Sequence, residues 1–202
     1  MGKKYPPTPP VTIPEKHGLF MIYEGRGKGK TTAAIGMAVR ALGTGMNVFI
    51  IHFIKGEWPN GERDFFAAYG ELLPLYKGSK KLGHVHVESS GKGFVKILGD
   101  KKPMRVHKDA AKRGLARAKR ALKSGDYQLI VMDEAISAIE EKLITVQDLL
   151  AVLKVKPPLT HLVMTGHFAP KALVAKADLV SRVDMVKHPY YKGILAQKGI
   201  DF

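Results

Sequence analysis

The sequence predicts an α/β fold: one domain built on a mostly parallel sheet, with helices on both faces. Three observations predict it. Short apolar runs alternate with stretches of helical periodicity from residue 19 to residue 186. The first of these runs opens into a glycine-rich loop that leads straight into a helix. A later run, LIVMDE at 129–134, ends in two carboxylates, as a buried strand does on surfacing at a sheet edge.

Taken in order, residues 1–17 read as an extended, flexible arm, because Pro6, Pro7, Pro9, Pro10 and Pro14 forbid regular helix. The domain then runs over 18–202. LFMIYE (19–24) is a buried strand, and TTAAIGMAVRALGTG (31–45) is a helix. Ala34, Ala38 and Ala41 form its packed face, and Gly43 or Gly45 ends it. NVFIIHFI (47–54) is a second buried strand, KGEWPNGER a turn-rich loop, and ERDFFAAYG (62–70) a short helix. HVHVE (84–88) alternates like a strand, whereas 89–103 is too rich in glycine to assign. In 104–125, Ala111, Leu115, Ala118 and Leu122 recur at helical spacing and mark a core-facing stripe. YQLIVMDE (127–134) is a buried strand. TVQDLLAVLKVK (145–156) is a helix capped by Thr145 and stopped by Pro157-Pro158. THLVMTG (160–166) and ADLVSRVDMV (177–186) are strands flanking a short helix, APKALVAKA.

The 202 residues suffice for one substantial core, and 45% hydrophobic with 25% charged content is globular. There is no apolar run of the roughly 20 residues a membrane span requires. The absence of Cys excludes disulfides, thiolate metal sites and thiol chemistry. A cytoplasmic protein, with no membrane association, is the expectation. The formal charge of +15 is concentrated: Lys92–Lys123 holds 12 Lys/Arg against only Asp100 and Asp109. Such a patch suits nucleic acid, a polyphosphate, an acidic protein or solvent.

Chemistry begins at YEGRGKGKTT, 23–32. A phosphate-binding loop reads G-x-x-x-x-G-K-[ST], its backbone N–H groups wrapping the anion at a helix N-terminus. Gly29, Lys30 and Thr31 match its end, but the first glycine falls at Gly25, one residue late, and position 24 is Glu. Gly25, Arg26, Gly27, Lys28, Gly29, Lys30, Thr31 and Thr32 are thus the candidate nucleotide-binding residues, with Lys30 as the principal cation. The Thr31 hydroxyl, Asp133 and Glu134 supply hard oxygens for a magnesium or manganese ion. The sequence offers no compelling residue to orient a hydrolytic water and no G-protein base-recognition motif, and a shortened loop re-aims its N–H groups.

GRGKGKTTAA, FIKGEWPNGER, VMDE, TGHFAPKALVAKADLVS and VKHPYYKGILAQKGIDF together resemble the P-loop type of ATP:corrinoid adenosyltransferase, from about Phe20 to Phe202. The resemblance implies a RecA-like P-loop NTPase fold. It implies that the short loop grips the triphosphate of a reversed ATP while a Co(I) corrinoid attacks the ribose 5′ carbon and triphosphate leaves. By the same resemblance Lys28 and Lys30 neutralise phosphates, and Thr31 and Glu134 position magnesium with Asp133 in support. Lys55, Trp58, Asn60 and Arg63 belong to the nucleotide-side motif: Asn60 and Arg63 could reach ribose or phosphate, and Trp58 could order that loop or merely pack. Phe94 matches the first of two loop aromatics that push off the lower axial ligand of a Co(II) corrinoid; the second position is Lys96 here. The family's longer, helical N-terminus is replaced by the Pro-rich arm. A homodimer and an acidic flavodoxin-like reductant are implied as partners.

Other candidates have plainer readings. His84 and His86 share a strand face at metal-like spacing, without an evident third ligand, so an ordinary polar strand is favoured. His167 stands at a strand end, where ligands of parallel sheets collect. His188, Tyr190 and Tyr191 are expected to pack on the sheet. The basic 92–123 segment reads as a solvated face or a dock for the acidic reductant, and nucleic acid comes third because aromatics are few. The rival functions are a RecA-like nucleic-acid-binding ATPase using that segment, and a non-catalytic corrinoid or nucleotide carrier.

Overall fold

β1 (Phe20–Glu24) lies near one edge of a parallel sheet whose strand order is β3-β2-β4-β5-β1-β6. The computed structural model describes residues 17–54, 56, 60–93 and 100–201. Residues 1–16, all but the last residue of the expected arm, and Lys55, Trp58, Phe94 and Lys96 lie outside that set. The remaining strands are β2 (Val48–His52), β3 (Val85–Ser89), β4 (Leu129–Asp133), β5 (His161–Thr165) and β6 (Leu179–Arg182). Every strand pair is parallel, so the expected mostly parallel sheet is wholly parallel among the described residues. The helices are α1 (Lys30–Gly43), α2 (Gly61–Leu72), α3 (Met104–Ser124), α4 (Ser137–Glu140), α5 (Val146–Leu153) and α6 (Lys171–Val174).

The central strands are apolar on both faces because both faces are covered. Met21, Val48, Ile50, Leu129, Val131 and Val163 bury against the Ala34/Ala38/Ala41 face of α1 and against Phe66 of α2. Their neighbours along the strands, among them Ile22, Ile51, Ile130 and Met164, bury against Ala111, Leu115 and Ala118 of α3 and Leu149 of α5. Ala on α1 and α3 lets the helix backbones approach the sheet closely. At Gly114 a Cβ would stand only 2.5 Å from the Ser90 hydroxyl.

Helix ends follow local chemistry. Asn60 caps α2 by accepting the Arg63 N–H at 3.1 Å. Thr145 and Asp148 form a reciprocal capping box on α5. α5 is shorter than the periodicity suggests, because Val155 and Lys156 bond three residues back, to Val152 and Leu153, in a tightened turn before Pro157. α6 likewise keeps only Lys171–Val174 of the expected 169–177. α4 has no sequence signal of its own; it is a single turn following Glu134. The tail corrects one expectation: Tyr190 and Tyr191 lie 64% and 75% exposed and meet each other edge to face instead of packing on the sheet.

Leu149 has no solvent exposure and joins α5 to the α3 side of the core. Leu149→Ala is expected to cost about 2–5 kcal/mol, read as a lower urea midpoint with an unchanged slope.

Candidate active site

The sheet register builds the centre of the site. His52 pairs with Asp133, Met132 with Met164, and Tyr23 with Thr165. Side chains alternate faces along a strand, so His52, Asp133 and Thr165 come to one rung at the carboxyl ends of the strands, on the α1 face. There the Asp133 carboxylate is fully buried. Its Oδ1 accepts from Thr31 Oγ1 at 2.8 Å and from Thr165 Oγ1 at 2.7 Å. Its Oδ2 lies 2.9 Å from His52 Nδ1; since the carboxylate only accepts, that nitrogen donates. The His52 Nε2 is buried and has no hydrogen-bond partner among the described residues. Glu134 follows with a left-handed backbone, φ 60°, its N–H donating to Thr165 Oγ1 at 2.8 Å. A non-glycine residue held at positive φ is characteristic of functional turns.

One strand, β5, separates the phosphate-loop strand β1 from β4, and the loop meets the acids through Thr31, at the start of α1. The first bond of that helix runs from Ala33 N–H to Gly29 O, which leaves the N–H groups of Lys30, Thr31 and Thr32 without intrahelical partners. Lys30 Nζ folds back to the Gly27 carbonyl at 2.7 Å. Burial pushes the Lys30 ammonium below its ordinary pKa, while the Glu134 and Asp133 carboxylates pull in the other direction. Lys28 forms an ion pair with Asp201 of the C-terminal tail.

The short loop is braced from both sides. Gly25 N–H donates to His167 O at 2.7 Å and Gly27 N–H to Val183 O at 2.8 Å. A Cβ on Gly25, at φ 114°, would lie 2.3 Å from the Val183 oxygen, and one on Gly27 2.8 Å from Asp184. Only glycine allows that approach. Glu24, standing where the usual loop has glycine, is 6% exposed and points to the opposite face of β1. It accepts Arg182 Nε at 2.9 Å, Arg182 Nη2 at 2.7 Å and the Ala169 N–H at 2.8 Å. Arg26 is exposed, 4.9 Å over the Phe168 ring and 3.9 Å from Glu140, which also meets His167 Nδ1 at 2.9 Å.

Of the expected site residues, Gly25 to Thr32, Asp133 and Glu134 thus converge. Asn60 has its side-chain oxygen committed to the α2 cap, and Arg63 sits in the first turn of that helix, 4.0 Å from Asp64. His86 stacks on Phe49 at 5.6 Å and meets Glu88, so the polar-strand reading of His84 and His86 fits; no metal-holding group of three His, Asp or Glu occurs among the described residues. His52, Thr165, Glu24 and Asp201 are additions. Register creates the first two, and register is not written in a single strand's sequence; a buried-strand His was the only available signal.

A phosphate loop joined to a strand-end acid in an all-parallel sheet is a P-loop NTPase-like arrangement. The family model described as ATP:corrinoid adenosyltransferase BtuR/CobO/CobP matches residues 16–202. The chain belongs to this family. Among curated relatives, the corrinoid adenosyltransferase of Pseudomonas aeruginosa is 33% identical over 188 residues, covering 93% of this chain and 85% of that protein. The corrinoid adenosyltransferase CobA of Salmonella typhimurium is 30% identical over 188 residues, covering 93% and 87%. One from Sinorhizobium is 31% identical over 196 residues, covering 95% and 84%.

Two outcomes check this geometry. Glu24→Gly restores the glycine of the longer loop but strips three hydrogen bonds from its base; melting temperature and ATP affinity are both expected to fall, and an unchanged melt would deny Glu24 its bracing role. The folded chain holds the Lys30 proton less tightly than the unfolded chain, so stability due to Lys30 rises as pH climbs toward 10.5 while its attraction for anions falls. Calorimetric triphosphate affinity is therefore expected to decline with pH before 10.5 is reached, relative to the always-charged Lys30→Arg variant.

Proposed function

We propose that this adenosyltransferase-family chain moves the 5′-deoxyadenosyl group of ATP to the cobalt of a reduced corrinoid substrate and releases intact triphosphate. The observation that carries the reading is the Thr31–Asp133–Thr165 bond set, which docks a shortened, braced phosphate loop against buried acids. The electron pair for the new cobalt–carbon bond comes from Co(I), and the C5′–O bond breaks with its pair going to triphosphate. The nucleophile arrives with the substrate, so the protein's work is orientation and stabilisation of charge on the leaving group. Lys30, Lys28 and the free N–H groups of α1 suit that task. Asp201 then serves as the stand-in anion on Lys28 until triphosphate displaces it.

The donor set fits a magnesium ion, which takes one or two carboxylates plus phosphate oxygens. Thr31, Asp133 and Glu134 offer hard oxygens beside Lys30, and no nitrogen or sulfur ligand is needed. Bound there, the ion would neutralise phosphate charge. Thr31 would orient its hydroxyl toward it, while Thr165 and His52 hold the Asp133 carboxylate in place. Lys55, Trp58, Asn60 and Arg63 remain assigned to the nucleotide side and Phe94 to exclusion of the axial ligand, on family resemblance. A cytoplasmic homodimer and an acidic flavodoxin-like donor fit the same reading. The donor would meet the basic outer face of α3, where Lys108, Lys112, Arg113, Arg120 and Lys123 are exposed.

With magnesium, ATP and chemically reduced cob(I)alamin, the expected products are light-sensitive adenosylcobalamin and intact triphosphate. Lys30→Ala is expected to lower the rate at least 100-fold, in line with loss of a principal charge-stabilising group. ADP and phosphate beside an unaltered corrinoid would overturn the reading.

A further inference from the structure

A cavity opens at the end of β1 opposite the phosphate loop, a strand length of roughly 15 Å from it. It has a volume of about 670 Å³ and lies between the start of β1, one side of α5 and the segment joining α6 to β6. That volume is within the range of small-molecule sites. Its floor is apolar, from Phe20, Leu150 and Leu153. Its rim is basic: Lys154, Lys156 and Lys176 line it, with Asp178 as the opposing carboxylate. Asp178 is already engaged, accepting the Phe20 N–H at 2.7 Å.

We infer that this cavity is a binding site for an amphipathic organic anion, with a phosphate or carboxylate group held by Lys154, Lys156 and Lys176 and an apolar body on the Phe20–Leu150–Leu153 floor. The proposal goes beyond adenosyl transfer and uses none of that reaction's residues. Lys154 and Lys176 are exposed, and neither forms an ion pair among the described residues. Lys156 is fixed in place, donating to Gly18 O at 2.6 Å and to Pro157 O at 3.2 Å. Burial lowers its pKa, partly countered by Asp178, and His161 beside it is lowered by burial, by Lys156 and by His17. The His161 shift thus includes repulsion from two neighbouring cationic groups, which an anion would relieve, whereas that of Lys156 reflects its burial. The Pro-rich arm is a poor occupant on charge grounds, since Lys3, Lys4 and Lys16 outnumber Glu15. The phosphate loop is remote, so ATP is not a competitor.

The test uses the full chain and 1-anilinonaphthalene-8-sulfonate, an anion with an apolar body, followed by fluorescence titration. Saturable one-to-one binding is expected, undisturbed by ATP and displaced by a phosphorylated or carboxylated aryl compound. The double variant Lys154→Glu with Lys176→Glu, altered only at exposed positions, is expected to bind about tenfold or more weakly with unchanged adenosyl transfer. Ala151→Trp, which fills the cavity, is expected to abolish binding. Equal affinity in these variants would place the dye on the exposed apolar tail (Val186, Tyr191, Leu195) and overturn the proposal. So would equally tight binding of the neutral analogue N-phenyl-1-naphthylamine, displacement by ATP, or no saturable binding at all.

Discussion

A carboxylate with no access to water must find its hydrogen bonds inside the protein, and in this structure that constraint falls on Asp133. Thr31, Thr165 and His52 meet it, one each from α1, β5 and β2. A hydrogen bond to a charged group is worth about 1.5–3 kcal/mol, so the three elements are held in mutual register by one side chain. The start of α1 is thereby placed over the carboxyl end of β4, across the intervening β5. Glu134 inherits its unusual backbone from the same junction, because its N–H is claimed by the hydroxyl that serves Asp133.

Most of the architecture was legible in the sequence because both faces of the sheet are covered. A strand buried on two sides must be apolar throughout, and runs such as FIIHFI and LIVMD stand out from their surroundings. The phosphate loop was legible for another reason: glycine, lysine and threonine at fixed offsets are what an anion at a helix start demands. Neighbours across the sheet were not legible. Nothing within VFIIH says that its histidine will sit beside Asp133, and nothing in YEG says that the glutamate turns to the far face of β1. The tail was misread because aromatic residues suggest burial, whereas Tyr190 and Tyr191 follow a proline and meet edge to face in a short exposed turn. The single turn of α4 has too few residues for a period to register.

Charge is sorted along the molecule as well as concentrated. The acids with structural work are drawn inward: Asp133 and Glu24 at the carboxyl ends of strands, Asp100 against buried His107 at 2.9 Å near the start of α3. Basic residues keep largely to the surface, where Arg117 of α3 meets Glu88 of β3 at 2.9 Å and most others face water. The result is a positive exterior around an interior whose buried acids among the described residues, Glu24 and Asp133, are hydrogen-bonded. Anionic molecules of many kinds will be drawn toward such a surface, and discrimination among them falls to the cavities.

Glu24 joins positions that are far apart along the chain, reaching Ala169 and Arg182 from the root of the phosphate loop. Its carboxylate lies inside while the guanidinium of Arg182 lies largely outside, so the two are unequal partners: the buried member suffers from loss of the exposed one more than the reverse. In an evolving lineage that inequality sets an order of events. Arginine at 182 must be in place before glutamate at 24 is tolerated, and it can be surrendered only after the glutamate has gone. Homologous chains are therefore expected to carry both, neither or the arginine alone, and the acid alone is the combination that selection removes.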